Sequence, residues 1–139
     1  MARIKFPSIS ATAQGIVSGC ATFPGANVCL STWNDYHAAL ASEHARYMAS
    51  VMVQGHQHFQ ERFNKLLAAG FGKATEICAE SWPWQADLPM WDLGYEMFHC
   101  WLQSSGHWAV ARTTHEWWGC DMQQGRNGVW YACILVSDL

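Results

Sequence analysis

The sequence predicts one α+β domain in which helices pack in layers on a small sheet. Its 139 residues are enough for a single domain with a core. Apolar residues recur at three- and four-residue spacing over residues 33–53 and 59–69, which is typical of amphipathic helices. Near the C-terminus, two runs rich in β-branched and aromatic residues flank the pair Asn127-Gly128, and this pattern predicts a β-hairpin.

Residues 1–30 differ in character from the rest of the chain. They are rich in glycine, serine, alanine and proline, and they show no helical period. We therefore predict that this segment is an N-terminal arm, extended or folded into a short strand, that packs on a domain formed by residues 31–139.

Two helices are predicted at the start of this domain. The first begins at the N-cap signal Ser31-Thr32 and carries its apolar period almost to Gly55. The second repeats the period over residues 59–69 and stops at Gly70, because glycine readily adopts the left-handed conformation that ends many helices.

The second half of the chain is predicted to hold a strand, a third helix and the hairpin. Residues 75–80 are short and alternating, which is typical of a strand, and two prolines break residues 81–89 into a loop. Aromatic residues line one side of a predicted helix over residues 90–102. Residues 107–113 are predicted to form a short helical or irregular segment. Residues 115–137 are predicted to form the hairpin.

The hairpin sequence also predicts which cysteines are neighbours. A two-residue turn centred within residues 125–128 places Cys120 directly opposite Cys133. The two thiols would be bonded in a secreted protein and reduced inside a cell. A one-residue bulge at either glycine of the turn would shift this register and separate the sulfurs.

The composition limits the classes of partner. Charged residues make up 14% of the chain, against roughly 25% in typical soluble domains, and the formal net charge is −3. The eight Lys and Arg residues are scattered, which excludes nucleic acid as the main partner because phosphate binding needs a clustered basic face. A core cannot easily hide nine tryptophans, so some are expected at a groove, a subunit contact or a ligand platform.

The patterns of apolar residues and cysteines limit the possible classes of protein further. No apolar run approaches the roughly 20 residues of a membrane-spanning helix, so no transmembrane segment is expected. The first residues, MARIKFPSISATAQGIVSGC, lack the continuous apolar stretch of a signal peptide. None of the six cysteines forms a Cys-x-x-Cys, so a zinc ribbon or thioredoxin-like site is not indicated.

Four blocks in a fixed order resemble the CAP superfamily of cysteine-rich secretory, antigen 5 and pathogenesis-related 1 proteins. The blocks are GHQHFQER, TEICAESW, WLQSSGHW and GVWYACILV, of which the third is the most specific. The resemblance covers roughly residues 33–137 and is to the short bacterial type of CAP domain. It implies a three-layer α-β-α sandwich with a small antiparallel sheet, in which the helices of residues 33–53 and 90–102 cover opposite faces.

The same resemblance implies a cleft built from His and Glu side chains. It places His107 at the family's second-histidine position and Glu76 at its strand-glutamate position. His56 is assigned to the first-histidine position, with His58 as the alternative. Glu96 is an approximate match to the family's second glutamate.

This cleft admits more than one chemistry. His56 and His107, with one or two carboxylates, suit a divalent metal such as Zn²⁺ that keeps an open position for water. The same groups can move protons without a metal, because histidine titrates near neutral pH. They can also form a hydrogen-bonded network that only ties helices to the sheet.

Three functions follow from these alternatives. The first is a stand-alone CAP-like domain that binds a small molecule, glycan or lipid in the cleft. The second is a structural subunit of a homo-oligomer or larger assembly, such as a phage particle or surface layer. The third is a hydrolase acting on peptide or cell-wall material, with His107 as base. The expected location is extracellular or within a virion or similar assembly.

Overall fold

The computed structural model describes residues 9–138, which contain five α-helices and four β-strands. The helices are α1 (Ala11–Thr22), α2 (Asp35–Val51), α3 (Phe59–Ala68), α4 (Met90–Leu102) and α5 (Ser105–Ala111). The strands are β1 (Thr32–Trp33), β2 (Thr75–Glu80), β3 (Trp117–Gln124) and β4 (Trp130–Ser137). None of these described helices is long and apolar enough to span a membrane.

The four strands form one mixed sheet in the order β1-β3-β4-β2. The central strand β4 pairs antiparallel with both β2 and β3, while β1 adds a short parallel pairing to β3. All residues of β4 are buried. Because both faces of this strand are covered, its sequence WYACILVS is apolar almost throughout instead of alternating.

Helices cover both faces of the sheet, so the domain has three layers. One face packs against α1 and α4 in a core that includes Ile16, Leu93, Met97, Phe98, Trp101 and Trp118. The other face packs against α2 and α3 in a core that includes Leu40, Met48, Leu66, Tyr131 and Leu135. The predicted α+β sandwich is confirmed, with the parallel β1–β3 pair as an addition to the antiparallel sheet.

Residues 11–22 form the helix α1, so the prediction of an extended or strand-like arm is wrong for this segment. The side chain of Ser10 caps the helix by accepting a hydrogen bond from a backbone N–H of the first turn at 3.1 Å. Ile16 and Cys20 are almost fully buried, and the helix therefore belongs to the core. The part of the predicted arm formed by residues 1–8 lies outside the described residues.

Small residues explain why α1 shows no apolar period in the sequence. Gly15 and Gly19 face α4 near Gly94, and a Cβ atom on any of these three glycines would meet backbone atoms of the opposite helix. Only glycine allows two backbones to approach so closely. The contact face of α1 is thus made of residues that a hydrophobic pattern does not register.

The helix α2 begins later than the predicted cap at residues 31–32, because β1 intervenes. Asn34 is the N-cap, and its side-chain oxygen accepts a hydrogen bond from the backbone N–H of His37 at 3.1 Å. The helix ends at Val51, and its C-cap residue Met52 adopts the left-handed conformation.

The β3–β4 hairpin has a three-residue loop in place of the predicted two-residue turn centre. The N–H of Gly125 donates to the carbonyl of Val129 at 2.8 Å and leaves residues 126–128 in the loop. Gly128 has a φ of 81°, as expected for the left-handed residue that completes such a loop with a bulge. The extra loop residue shifts the register of the two strands by one.

The shifted register separates two cysteines that were predicted to be neighbours. Cys120 lies opposite Ile134, and Cys133 lies opposite Asp121. Cys120 belongs to the core on the α1/α4 face, whereas Cys133 belongs to the core on the α2/α3 face. The predicted Cys120–Cys133 pair is therefore wrong, because a one-residue slip moves a side chain to the other face of a sheet.

Candidate functional site

Five polar or ionisable side chains meet on the α2/α3 face of the sheet, and we call them the Glu76 cluster. Its members are His44 on α2, His56 in the loop before α3, Arg62 on α3, and Glu76 and Cys78 on β2. Four of these residues are buried, and the side chain of His56 is 48% exposed. The cluster is thus a buried polar site with one histidine at its surface.

Glu76 and Cys78 share the cluster because side chains two apart on a strand lie on the same face. Ile77 between them points into the core on the α1/α4 face. The strand β2 is an edge strand, and the indole N–H of Trp101 donates to the carbonyl of Cys78 at 3.0 Å. This bond ties α4 to the strand that carries two members of the cluster.

Arg62 neutralises Glu76 through two parallel hydrogen bonds. Its Nε donates to Oε2 of Glu76 at 2.6 Å, and its Nη2 donates to Oε1 at 2.8 Å. Its remaining nitrogen, Nη1, donates to the carbonyl of Gln57 at 2.8 Å. A buried carboxylate without such a partner would be costly, and the bidentate pair offsets that cost while it joins α3 to β2.

His56 joins the cluster from the solvent side. Its Nδ1 lies 2.9 Å from Oε1 of Glu76 and 3.9 Å from Sγ of Cys78. The sulfur of Cys78 and the carboxylate of Glu76 raise the pKa of His56 to about 9, while its partial burial acts in the opposite direction. The ring is therefore protonated at neutral pH, and its Nδ1–H donates to Glu76.

His44 is a buried imidazole whose two ring nitrogens differ in their hydrogen bonding. Its Nε2 lies 2.7 Å from the carbonyl of Gly55, so this nitrogen carries a proton and donates it. The same nitrogen is 3.8 Å from Oε1 of Glu76. Nδ1 of His44 has no hydrogen-bond partner among residues 9–138, which is uncommon for a buried polar atom.

Cys78 is the buried thiol of the cluster, and its Sγ lies 3.6 Å from Oε1 of Glu76. The neighbouring thiol of Cys133, together with His44 and His56, lowers the pKa of Cys78, although burial acts in the opposite direction. Burial raises the pKa of Cys133. Cys78 is therefore the more acidic of two adjacent thiols.

Three members of the cluster could hold a metal ion. One donor atom each from His44, Glu76 and Cys78 lies within 4.8 Å of the others. A tetrahedral zinc ion with bonds of roughly 2.0–2.3 Å separates its ligand atoms by roughly 3.3–3.8 Å. The distances from Oε1 of Glu76 to Nε2 of His44 (3.8 Å) and to Sγ of Cys78 (3.6 Å) fall within that range.

The structure brings together two of the sequence-predicted cleft residues. His56 contacts Glu76 directly, as the assignment of His56 to the cleft requires. The alternative, His58, is the N-cap of α3 and packs against Tyr47, with ring centroids 4.8 Å apart. Within residues 9–138, His56 forms a hydrogen bond with Glu76 and His58 does not.

His107 lies in a different layer from the Glu76 cluster. It belongs to α5, which packs on α4, and Trp108 and Ala111 of the same helix contact the core on the α1/α4 face. Within the described residues, the group of candidate metal ligands contains neither His107 nor His56. His107 therefore does not join His56 and Glu76 in a shared metal pair, because α5 packs on α4, which covers the opposite face of the sheet.

Glu96 lies on the wall of a separate cavity of about 650 Å³, which we call the Trp82 pocket. This pocket lies between the turn Pro83–Gln85 and α4, and its walls include Glu80, Trp82, Glu96, Met97, His99, Cys100 and Val129. Glu96 and His99 stand one helical turn apart on α4, with 3.4 Å between Oε2 and Nδ1. The four residues of the predicted cleft therefore lie in three places. His56 and Glu76 belong to the Glu76 cluster, Glu96 lines the Trp82 pocket, and His107 lies on α5.

The sequence contains signals for the cluster members that were not predicted. His44 falls on the buried face of α2, four residues after Leu40 and four before Met48, so it is a histidine at a core position. Cys78 shares a strand face with Glu76. Arg62 carries no comparable signal, because a single arginine on an amphipathic helix usually faces solvent.

Comparison with known proteins gives a fold relationship. No family model matches the chain, and no curated protein does. Among solved structures, an outer surface protein from Borrelia burgdorferi is similar, with a TM-score of 0.60 over 78% of this chain and 77% of that chain. The two sequences are 17% identical, so the likeness shows that the chain shares the α+β fold of that protein.

Proposed function

We propose that the protein is a CAP-like domain that binds a small amphipathic ligand, with an apolar body and a cationic head group, in the Trp82 pocket. The observation that carries this proposal is the cavity of about 650 Å³ between the Pro83–Gln85 turn and α4. Sites for small molecules typically enclose roughly 300–1,000 Å³ and combine apolar walls with a few polar groups. The order of the CAP-like sequence blocks supports a ligand-binding role for the fold.

Apolar side chains supply the body of the site. Met97 and Val129 are buried beneath the pocket, and Trp82 stands at its wall with 65% of its surface exposed. An exposed tryptophan beside a cavity offers a large flat surface for an apolar group. Ligand binding would cover part of this surface, which the free protein leaves in contact with water.

The charges at the pocket favour a cation. Glu80 and Glu96 both line it, and its described lining residues include no lysine or arginine. A cationic head group can pair with these carboxylates and also lie over the ring of Trp82. An anionic head group of the same size would meet two like charges, and the site should therefore distinguish an amine from a carboxylate.

The proposal predicts selective competition for an apolar probe. The neutral dye 1-N-phenylnaphthylamine should bind the wild-type protein and be displaced by decylamine at concentrations about tenfold below those needed of decanoate. Glu96→Gln should reduce this preference several-fold and leave dye binding unchanged, because Glu96 acts on the head group. Fluorescence titrations at low salt measure both effects, since a partly exposed charge is screened by added salt.

A blocking variant locates the binding. Cys100→Trp places an indole in the pocket from α4 and should weaken dye binding by at least about tenfold. Leu102→Trp is the matched control, because Leu102 is exposed on the same helix and is not among the lining residues. Equal dye binding by both variants would contradict the proposal, as would equal competition by decylamine and decanoate.

A second candidate function is zinc binding in the Glu76 cluster, favoured by the convergence of His44, Glu76 and Cys78. Imidazole, thiolate and carboxylate are the donors that zinc prefers, and Arg62 could stay on Oε2 of Glu76 as a supporting hydrogen bond. Zinc would replace the bond from His44 to Gly55 and would compete with the hydrogen bonds that Arg62, His56 and Cys78 donate to Oε1 of Glu76. The residue types therefore fit zinc, which would supply a Lewis-acidic centre when bound.

Zinc titration separates this candidate from a purely structural network. Isothermal titration should give one zinc per wild-type chain and at least about a tenfold weaker affinity for Cys78→Ala. Cys120→Ala is the matched control, since it removes a buried thiol from the opposite face of the sheet. If the two variants bind zinc equally, or if the wild-type protein binds none, the candidate is rejected.

We further propose an extracellular location. The structural neighbour is described as an outer surface protein, which supports this placement. The location would determine the redox state of the six cysteines, because disulfides persist in oxidising compartments and are rare in the cytosol.

A further inference from the structure

Two buried cysteines face each other across the β2–β4 pair. Cys78 on β2 is the direct partner of Cys133 on β4. Both belong to the core on the α2/α3 face, with relative exposures of 2% and 0%. The arrangement is independent of the Trp82 pocket, and its chemistry goes beyond ligand binding.

The pairing type suits a disulfide. Ser81 donates its N–H to the carbonyl of Trp130 at 2.9 Å, so the opposed pair Ser81–Trp130 is a hydrogen-bonded one. Opposed pairs alternate in type along an antiparallel ladder, and Cys78–Cys133 lies three positions further along. It is therefore a non-hydrogen-bonded pair, for which Cα atoms are about 4.5 Å apart. Disulfides span Cα separations of about 4.4–6.8 Å, and the bond needs little backbone movement.

The geometry points to Cys78 and Cys133 as a redox-active pair that hydrogen peroxide converts to a disulfide. Cys78 is the attacking sulfur, because it lies against the half-exposed His56 and so has the shorter path to solvent. Cys133 lies deeper and acts second. Peroxide is a neutral oxidant hardly larger than water, so it suits thiols whose relative exposures are only 2% and 0%.

The reaction balances in two steps. The sulfur of Cys78 attacks one peroxide oxygen and the O–O bond breaks. The leaving hydroxide takes the thiol proton of Cys78, so the products are a sulfenic acid on Cys78 and one water. The sulfur of Cys133 then attacks the sulfur of Cys78, the S–O bond breaks, and hydroxide leaves with the proton of Cys133 as a second water. Two thiols lose two electrons in total, and peroxide gains them.

The other cysteines provide internal controls. Cys20 and Cys29 are also close, with the backbone N–H of Cys29 donating to Sγ of Cys20 at 3.3 Å. Cys120 is buried on the opposite face of the sheet from Cys133. The proposal thus names one bond among several that six thiols would allow.

Peptide mapping tests the proposal. The reduced, metal-free protein is treated with an equimolar amount of hydrogen peroxide, alkylated and digested without reductant. The expected main product has lost the mass of two hydrogens and yields a linked peptide that contains Cys78 and Cys133. Cys120→Ala should keep this link, and Cys78→Ala should lose it. Cys133→Ala should accumulate a sulfenic acid on Cys78 that dimedone traps.

Two outcomes would overturn the proposal. One is a Cys20–Cys29 bond formed in place of the Cys78–Cys133 bond. The other is a wild-type protein whose Cys78 and Cys133 both remain alkylatable after peroxide treatment. Both are read from the wild-type protein, so the test does not depend on whether a cysteine variant folds.

Discussion

Replacing Arg62 with methionine is expected to lower the free energy of unfolding by about 3–5 kcal/mol. The side chain of Glu76 is only 1% exposed, and Arg62 donates two hydrogen bonds to it. Without them, the carboxylate stays buried with His56 as its remaining close partner. The half-buried His56 cannot replace the two hydrogen bonds of the bidentate pair. Urea denaturation followed by circular dichroism measures the change in the free energy of unfolding.

Two further variants show that the loss comes from an unpaired charge. Arg46→Met removes an exposed arginine from α2 and should change stability by less than about 0.5 kcal/mol. The double variant Arg62→Met, Glu76→Met should recover most of the loss, because replacing both members of a buried ion pair by apolar residues is often neutral. A double variant no more stable than Arg62→Met alone would mean that packing, and not charge, sets the cost.

Gly94→Ala is expected to destabilise the protein by about 3 kcal/mol, at the upper end of the usual cost of overpacking. A Cβ atom at this position would overlap the carbonyl of Gly15, where α1 crosses α4. Helix propensity alone predicts the opposite sign, since alanine stabilises a helix by roughly 0.5–1 kcal/mol relative to glycine. The sign of the change therefore decides between the close helix crossing and local propensity.

Gly106→Ala is the matched control for the crossing. Gly106 is also helical, and no atom lies within 4 Å of the position its Cβ would occupy. This substitution should be neutral or slightly stabilising in thermal denaturation. Similar changes for Gly94→Ala and Gly106→Ala would show that α1 and α4 are not in close contact.

The fold could be predicted where side chains carry a period, and could not where glycine makes the contact. The helices α2, α3 and α4 have apolar stripes that the sequence displays. The helix α1 packs through Gly15 and Gly19, which a hydrophobic pattern treats as breaks. The hairpin itself is predictable, but its register depends on whether Gly128 pairs with Gly125 across a two-residue loop or forms the last residue of a three-residue loop.

The sequence predicted some residues of the candidate site and not others. Glu76 and His56 meet as the sequence resemblance implied, because a strand and the loop before a helix bring them together. Their partner Arg62 was not assigned to the site, since sequence spacing does not reveal which surface arginine turns inward. His107 was placed by motif order alone, and motif order does not determine the layer in which α5 packs.

The proposal that the Trp82 pocket binds a cationic amphipathic ligand is tested most directly by mapping decylamine on the folded protein. Amide shifts in ¹⁵N-labelled protein report where the probe binds. We expect changes at lining residues such as Ser81, Gln85 and Gln103, and none at His44 or Cys78 in the Glu76 cluster. Changes centred on the Glu76 cluster, or no saturable changes at all, would contradict the account.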